Sequence, residues 1–209
     1  MRDRGVSRGV PGTSRGMGRD LEDLRAAAAG CTDCELHADA TQTVFGEGPQ
    51  SAWLMMVGEQ PGDREDRAGE PFVGPAGRVL DEALTRAGID RDEVYLTNVV
   101  KHFRFERQGN RRIHKTPGVT HIRACRQWFD GELAAVRPRV VVTLGATAAK
   151  ALLGPTFRIT GERGTEREWE GHRLVPTIHP SAILRGSPED RADAMDAFVA
   201  DLAVAARLR

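Results

Sequence analysis

The chain has 209 residues, of which 40% are hydrophobic and 29% charged, as is typical of a soluble protein with one globular domain. Lysine plus arginine and aspartate plus glutamate both number 30, so overall charge gives no support to nucleic-acid binding. No apolar run approaches the ~20 residues of a membrane-spanning helix, so we expect no membrane-spanning segment.

The N-terminal segment and the cysteines indicate the compartment. Residues 1–19 are rich in arginine, glycine and serine and contain no hydrophobic stretch of a secretory signal, so we predict a disordered tail and a cytoplasmic protein. The three cysteines are Cys31, Cys34 and Cys125. An odd number without an export signal favours reduced thiols or a metal site over a disulfide framework.

The rest of the chain alternates predicted strands and helices. The predicted strands cover residues 52–58, 93–100, 139–145 and 173–179. The predicted helices cover residues 20–30, 74–88, 120–136, 146–154 and 189–208. Asp20 is the expected N-cap of the first helix and Gly30 its end. This alternation predicts an α/β domain with a mostly parallel sheet and helices on both faces.

Three polar motifs begin where predicted strands end: GEQPGD (58–63), NVVKH (98–102) and HPS (179–181). Ligands in such folds bind beyond the carboxyl ends of the strands, so we predict that all three motifs line one crevice. Taken alone, Asn98 suits a strand-end cap as well as a contact to the edge of a base. Phe72 likewise suits the core as well as a stacking surface for a planar ligand.

The segment ERQGNRRIHKTP (106–117) surrounds one histidine, His114, with cations. These cations are Arg107, Arg111, Arg112 and Lys115. The segment has no apolar periodicity and contains glycine, asparagine and proline, so we predict an exposed loop. One interpretation is a solvated basic loop with an incidental histidine. The other is that the cations bind a polyanion while His114 contacts a reactive atom on it.

The Cys31-x-x-Cys34 spacing commonly begins a zinc or iron–sulfur site. A thioredoxin-type redox role fits less well, because the motif follows a helix rather than a strand. Cys125 can supply a third ligand and His102 a fourth. The alternatives for the fourth ligand are His37 and His121. Spacing alone does not choose between zinc and an iron–sulfur cluster.

Six motifs together resemble the uracil-DNA glycosylase superfamily, and in particular its iron–sulfur (family 4-like) branch. They are GEQPGD (58–63), PFVGPAGR (71–78), TNVVKHF (97–103), RRIHKTP (111–117), LGATAAKALLG (144–154) and HPSAILRG (179–186). The resemblance covers residues 20–208. Within the branch, RRIHKTP resembles the UdgX type, which cross-links itself to uracil-containing DNA.

The resemblance implies a three-layer α/β/α sandwich around a mostly parallel sheet, formed by a single domain over residues 20–209. The crevice would accept a flipped-out deoxyuridine. It also implies a [4Fe-4S] cluster on Cys31, Cys34, Cys125 and His102, where His102 stands in the place of a cysteine of ordinary family 4 enzymes. We expect a monomeric bacterial protein whose partner is uracil-containing DNA, preferably single-stranded because the chain carries no net positive charge.

The resemblance further implies roles for individual residues. His179 would donate a hydrogen bond to uracil O2, Glu59 would stabilise the sugar cation, and His114 would capture C1′ in a single turnover, leaving a stable adduct. The residues expected around uracil and sugar are Gln60, Asp63, Phe72 and Asn98. Those expected at the DNA backbone or in the gap left by the base are Arg107, Arg111, Arg112, Lys115, Leu184 and Arg185. The alternatives are an ordinary multiple-turnover glycosylase and a non-catalytic, metal-bound DNA-binding module.

Overall fold

The computed structural model describes residues 20–209, so the predicted tail over residues 1–19 lies outside the described residues. Its strands are β1 (Leu54–Gly58), β2 (Val94–Asn98), β3 (Phe105–Gln108), β4 (Arg111–His114), β5 (Val140–Leu144), β6 (Arg167–Trp169) and β7 (His172–Thr177). Five of them form the central sheet in the order β2-β1-β5-β7-β6. Neighbours run parallel except β6, which pairs antiparallel with β7 at the edge. The mostly parallel sheet is therefore confirmed.

Helices cover both faces of this sheet. They are α1 (Leu21–Ala28), α2 (Asp63–Ala68), α3 (Pro75–Arg86), α4 (Val119–Val136), α5 (Ala146–Leu153), α6 (Ile159–Glu162), α7 (Pro180–Arg185) and α8 (Asp190–Ala206). Side chains of β1 alternate between two cores, with Met55 packing on the α1 and α4 side and Met56 on the α3 and α8 side. Because both faces are covered, every residue of β1 is buried, which explains its uninterrupted apolar sequence.

The strand register brings the three polar motifs together. Gly58 at the end of β1 pairs with Asn98 at the end of β2, and Leu144 at the end of β5 pairs with Thr177 at the end of β7. The segments that follow these strands therefore leave the sheet along one edge.

The segment around His114 is a β-hairpin, so the loop predicted over residues 106–117 is wrong for residues 106–114, whereas residues 115–117 are irregular as predicted. Strands β3 and β4 pair antiparallel, with Phe105 opposite His114, and the turn contains Gly109 at φ 58°. The sequence of the hairpin has no apolar periodicity, and tertiary contacts stabilise it instead. The Arg112 guanidinium lies over the rings of Phe103 and Phe105, 5.4 and 5.0 Å from their centroids.

Several short elements were not predicted: α2, α6 and the edge strand β6. Each has six residues or fewer, too few to show a clear periodicity. Within residues 20–209, no helix has the length and apolar character needed to span a membrane.

Candidate active site

A cavity of about 690 Å³ opens at the carboxyl ends of the parallel strands, as predicted for this fold class. The predicted site residues along its lining are Glu59, Gln60, Asp63, Phe72, Asn98, His114, His179, Leu184 and Arg185. The structure therefore brings every residue predicted to act on uracil or sugar to one place. The predicted backbone contacts Arg107, Arg111, Arg112 and Lys115 lie on the hairpin, outside this lining.

His179 is held as a neutral hydrogen-bond donor. It precedes α7, and its Nδ1 accepts a hydrogen bond from the Ser181 backbone N–H at 3.1 Å and lies 2.8 Å from the Ser181 hydroxyl. A nitrogen that accepts from a backbone amide carries no proton, so the proton of the neutral ring lies on Nε2. Burial, with added repulsion from Arg185 and His114, lowers the pKa of His179 to about 4. The ring is therefore uncharged at neutral pH.

The Phe72 ring lies close to His179, with the ring centroids 6.2 Å apart and the planes inclined by 27°. Its backbone is left-handed, at φ 59°, which is unfavourable for a bulky side chain. Gly77 permits this conformation, because a Cβ there would overlap the Phe72 carbonyl oxygen. Gly58 has a similar role, since a Cβ would collide with the Asn98 amide and the Phe72 ring. Two glycines thus allow an aromatic ring and an amide to face one cavity.

The carboxylate of Glu59 lies beside the imidazole of His114, with Oε1 3.3 Å from Nε2. The Glu59 side chain is 19% exposed and that of His114 is 50% exposed. Oε1 is itself buried and has no hydrogen-bond partner within residues 20–209. A buried carboxylate oxygen without a donor is available to stabilise positive charge that develops nearby.

Gln60 has a different contact from the predicted one. The side chain is 7% exposed, and its Nε2 donates to the carbonyl oxygens of Arg104 and Lys115, both at 3.1 Å. Its Oε1 accepts from the Arg104 backbone N–H at 3.1 Å. The amide thus joins the two ends of the hairpin segment, in contrast to the predicted contact with substrate.

Arg112 and Asp63 also depart from expectation. The Arg112 side chain is 6% exposed and is bound to the Asp63 carboxylate and, at 2.6 Å, to the buried Asp66 carboxylate. Although burial opposes it, hydrogen bonds from Arg67 and Arg112 lower the pKa of Asp63. Arg112 therefore holds the hairpin on α2, in contrast to the predicted phosphate contact. Both oxygens of Asp63 bind arginines, in contrast to the predicted substrate contact.

The outer surface of the hairpin remains cationic. Arg107 and Arg111 are exposed, and Lys115 is half-buried beside Glu106, with the charged atoms 2.8 Å apart. Leu184, at the rim of the cavity, is an exposed large hydrophobic residue. Arg185 donates to the Ser181 hydroxyl at 2.9 Å, so it supports the residue that orients His179.

The candidate cluster ligands have different environments. Cys31, Cys34 and Cys125 are free thiols, two buried and one half-buried, and they pack in or against one core. His102 is buried with Nδ1 unpartnered within residues 20–209, while its Nε2 lies 3.0 Å from the Thr43 hydroxyl. A buried imidazole nitrogen without a partner is what a metal-ligating histidine requires, and Thr43 is placed to orient the ring.

The alternative fourth ligands fit less well. His121 uses both nitrogens, since Nδ1 accepts from the Gly118 N–H at 2.8 Å and Nε2 lies 2.6 Å from Glu35. His37 is exposed, with Nδ1 2.7 Å from the Cys34 carbonyl oxygen. Among residues 20–209, no three histidine, cysteine or acidic side chains converge on a single metal ion. A four-iron cluster binds each ligand at a different iron, so it does not require that convergence. The donor set therefore fits a cluster on His102 and the three cysteines.

Comparison with known proteins assigns the family. A model of the uracil DNA glycosylase superfamily matches residues 45–203. The chain belongs to this superfamily. It is 41% identical over 157 residues to a Type-4 uracil-DNA glycosylase of Thermotoga maritima, covering 74% of this chain and 78% of that protein. It is 37% identical over 174 residues to a Type-4 enzyme of Pyrobaculum aerophilum, covering 79% and 85%.

A Type-5 uracil-DNA glycosylase of Pyrobaculum aerophilum is more distant, with 31% identity over 153 residues, covering 65% of this chain and 64% of that protein. Membership of the superfamily confirms the predicted α/β fold, and the stronger similarity is to Type-4 enzymes. These relatives do not distinguish the UdgX type from other members.

Sequence reasoning missed two residues that support the site. Thr43 faces His102, and Asp66 binds Arg112. Asp66 had a local signal, since Asp63 and Asp66 are three residues apart and lie on the same face of a helix. The contact between Thr43 and His102 spans 59 residues, so no local pattern could indicate it.

Proposed function

We propose that the protein excises uracil from DNA and that His114 then bonds to C1′ of the deoxyribose, leaving a covalent protein–DNA adduct. The observation that carries this proposal is the pairing of Glu59 with His114, 3.3 Å apart, in the cavity that also holds His179. A carboxylate for the sugar cation, a neutral donor for the base and a nucleophile thus share one space.

Departure of the base is the first step. A flipped-out uracil would stack on Phe72 and offer its polar edge to Asn98. The glycosidic N–C1′ bond breaks and its electron pair leaves with the base. Nε2–H of His179 donates to O2 and so stabilises the charge that develops there. Since burial holds His179 neutral, this donor is available throughout the neutral pH range.

Capture of the sugar is the second step. The Glu59 carboxylate stabilises the oxocarbenium character at C1′. The lone pair of His114 Nε2 forms a new N–C1′ bond, the second ring nitrogen releases its proton, and the uracil anion takes up a proton to leave as neutral uracil. A held nucleophile can compete with ~55 M water, because effective molarities reach about 10⁵ M.

The hairpin and the candidate cluster complete the proposal. Arg107, Arg111 and Lys115 would contact phosphates, and Leu184 would fill the gap left by the flipped base. These contacts predict binding that weakens as salt rises. A [4Fe-4S] cluster on Cys31, Cys34, Cys125 and His102 would join three parts of the chain: the segment after α1, the segment after β2, and helix α4. The cluster would thereby stabilise the wall behind Asn98.

The experiment is intact mass spectrometry after incubation with a short single-stranded uracil oligonucleotide, followed by peptide mapping. We expect the protein mass to rise by the oligonucleotide less uracil, with the modified residue at His114. A thymine oligonucleotide is the matched control, and a duplex uracil substrate tests the preference for single strands. His114→Ser should form no adduct and should release more than one uracil per protein, because water can then reach C1′. An adduct of equal yield in that variant would show that another residue is the nucleophile.

A second candidate is an ordinary glycosylase that turns over and leaves an abasic site. The half-exposed side chain of His114 favours it, since solvent reaches the imidazole, and so do the Type-4 relatives. The count of uracils released per parent protein separates the two, because one indicates capture and many indicate turnover. The non-catalytic DNA-binding module predicts no released uracil at all.

A further inference from the structure

A buried ion pair lies next to the uracil-facing wall of the cavity. Lys101 Nζ is 2.7 Å from Glu132 Oε2, and both side chains are 0% exposed. Lys101 follows β2 and Glu132 lies on α4, so the pair joins the end of a central strand to the helix that covers it.

Every polar atom of the pair is used. The three Nζ protons go to Glu132, to the Thr97 hydroxyl at 2.6 Å and to the Asn98 carbonyl oxygen at 2.9 Å. Glu132 accepts from the Thr97 hydroxyl at 2.7 Å and from the Gly46 backbone N–H at 2.8 Å. The arrangement therefore holds the backbone of Asn98 from behind.

Stability alone does not account for such a pair. Replacing a buried ion pair by apolar residues of similar volume is often neutral or stabilising, because the charges lose their hydration. What the pair supplies here is geometry. The pair closes the turn over residues 98–101, and this turn also binds the GEQPGD motif. The Val99 N–H donates to the Gly58 carbonyl at 3.0 Å, and the Val100 N–H donates to the Glu59 carbonyl at 3.1 Å.

The same turn reaches the candidate cluster ligands. The Lys101 backbone N–H donates to Cys125 Sγ at 3.4 Å, and His102 is the next residue. Cys125 and Glu132 lie seven residues apart on α4, two helical turns, and both are buried. Asn98, Glu59 and two candidate ligands are thus held by one network.

We infer that Lys101 and Glu132 are positioning residues that aim the Asn98 amide at the edge of uracil. The inference rests on the proposed function. Uracil offers an N3–H donor and an O4 acceptor, whereas cytosine offers an N3 acceptor and an N4–H donor. An amide held in one orientation therefore binds uracil and rejects cytosine. Loss of the network should therefore cost base discrimination and rate rather than affinity for DNA.

The test is the double variant Lys101→Met/Glu132→Gln, which removes both charges and preserves volume. With single-stranded oligonucleotides and excess protein, the single-turnover rate constant of base release and the half-saturating protein concentration are measured for uracil and for cytosine. We expect the rate constant for uracil to fall by about 10- to 100-fold, as for a displaced catalytic contact. The half-saturating concentration should change little, the ratio of the uracil rate to the cytosine rate should fall, and the melting temperature should stay close to that of the parent.

A double-mutant cycle with Asn98→Ala shows whether the network acts through Asn98. In the Asn98→Ala background the double substitution should lower the single-turnover rate constant by less than about 2-fold, since the amide is already gone. An equal loss in both backgrounds, or an unchanged rate constant in the folded double variant, overturns the inference. If the double variant does not fold, Thr97→Val breaks the same network without unpairing a charge. The single-turnover rate constant of uracil release by Thr97→Val should also fall, and an unchanged value overturns the inference. A parent that releases no uracil overturns the proposed function instead.

Discussion

Lowering the pH from 8 to 5 is expected to destabilise the folded protein through His179. Burial holds the pKa of this imidazole at about 4 in the folded state, against 6.5 for an ordinary histidine. The unfolded chain therefore binds a proton that the folded chain does not, and the free energy of unfolding falls as pH falls from about 6.5 to about 4. With pKa values of about 4 in the folded state and 6.5 in the unfolded state, the free energy of unfolding at pH 5 is about 2 kcal/mol lower than at pH 8.

Urea unfolding at pH 8 and pH 5 measures this loss. His179→Gln is the matched variant, because its amide is polar but does not titrate. Other titrating groups contribute equally to both proteins, so the pH-dependent loss of the variant should be smaller by about 2 kcal/mol. Equal losses in parent and variant would refute the assignment of His179 as a partly buried neutral donor, and with it the proposed role at uracil O2.

Three further predictions follow from the site. Glu59→Gln keeps the shape of the side chain but removes its charge, so single-turnover uracil release should slow by about 100-fold or more. The affinity for the oligonucleotide, measured by fluorescence anisotropy, should not change. Weaker binding at an unchanged rate of release would contradict this role of Glu59. Arg112→Met leaves the buried Asp66 carboxylate without its cation, so urea unfolding should show a loss of about 3–5 kcal/mol, and denaturing gels should show less adduct. A full adduct yield would show that the hairpin does not need this anchor. His102→Ala should lower the iron bound per protein, whereas the control His121→Ala should not, and equal iron in both would rule out His102 as a ligand.

The sequence was sufficient wherever the controlling contacts are local or periodic. The strand β1 (Leu54–Gly58) was predictable because a strand buried on both faces needs apolar side chains at every position. The meeting of Glu59, Asn98 and His179 was predictable because the carboxyl ends of parallel strands lie along one edge of a sheet. Helix α3 was predictable within two residues at each end, from its apolar stripe and the glycine that follows it.

The sequence was insufficient where one side chain has two chemically reasonable partners. Gln60 lies in the GEQPGD motif and Arg112 in the RRIHKTP motif. An amide or a guanidinium can bind a substrate or another part of the protein equally well. Only the fold shows that Gln60 closes the hairpin and that Arg112 lies between two carboxylates. The choice of His102 over His121 is similar, since it depends on which imidazole has a nitrogen left without a partner.

The chain by itself thus determines the α/β architecture and the edge of the sheet where chemistry takes place, because hydrophobic periodicity and strand order are properties of consecutive residues. The tertiary structure decides which polar groups face the cavity and which hold it in shape. That assignment depends on hydrogen bonds between segments far apart in sequence, such as Gln60 with Lys115 and Lys101 with Glu132. A buried polar atom that bonds to such a partner is no longer free to bind a ligand.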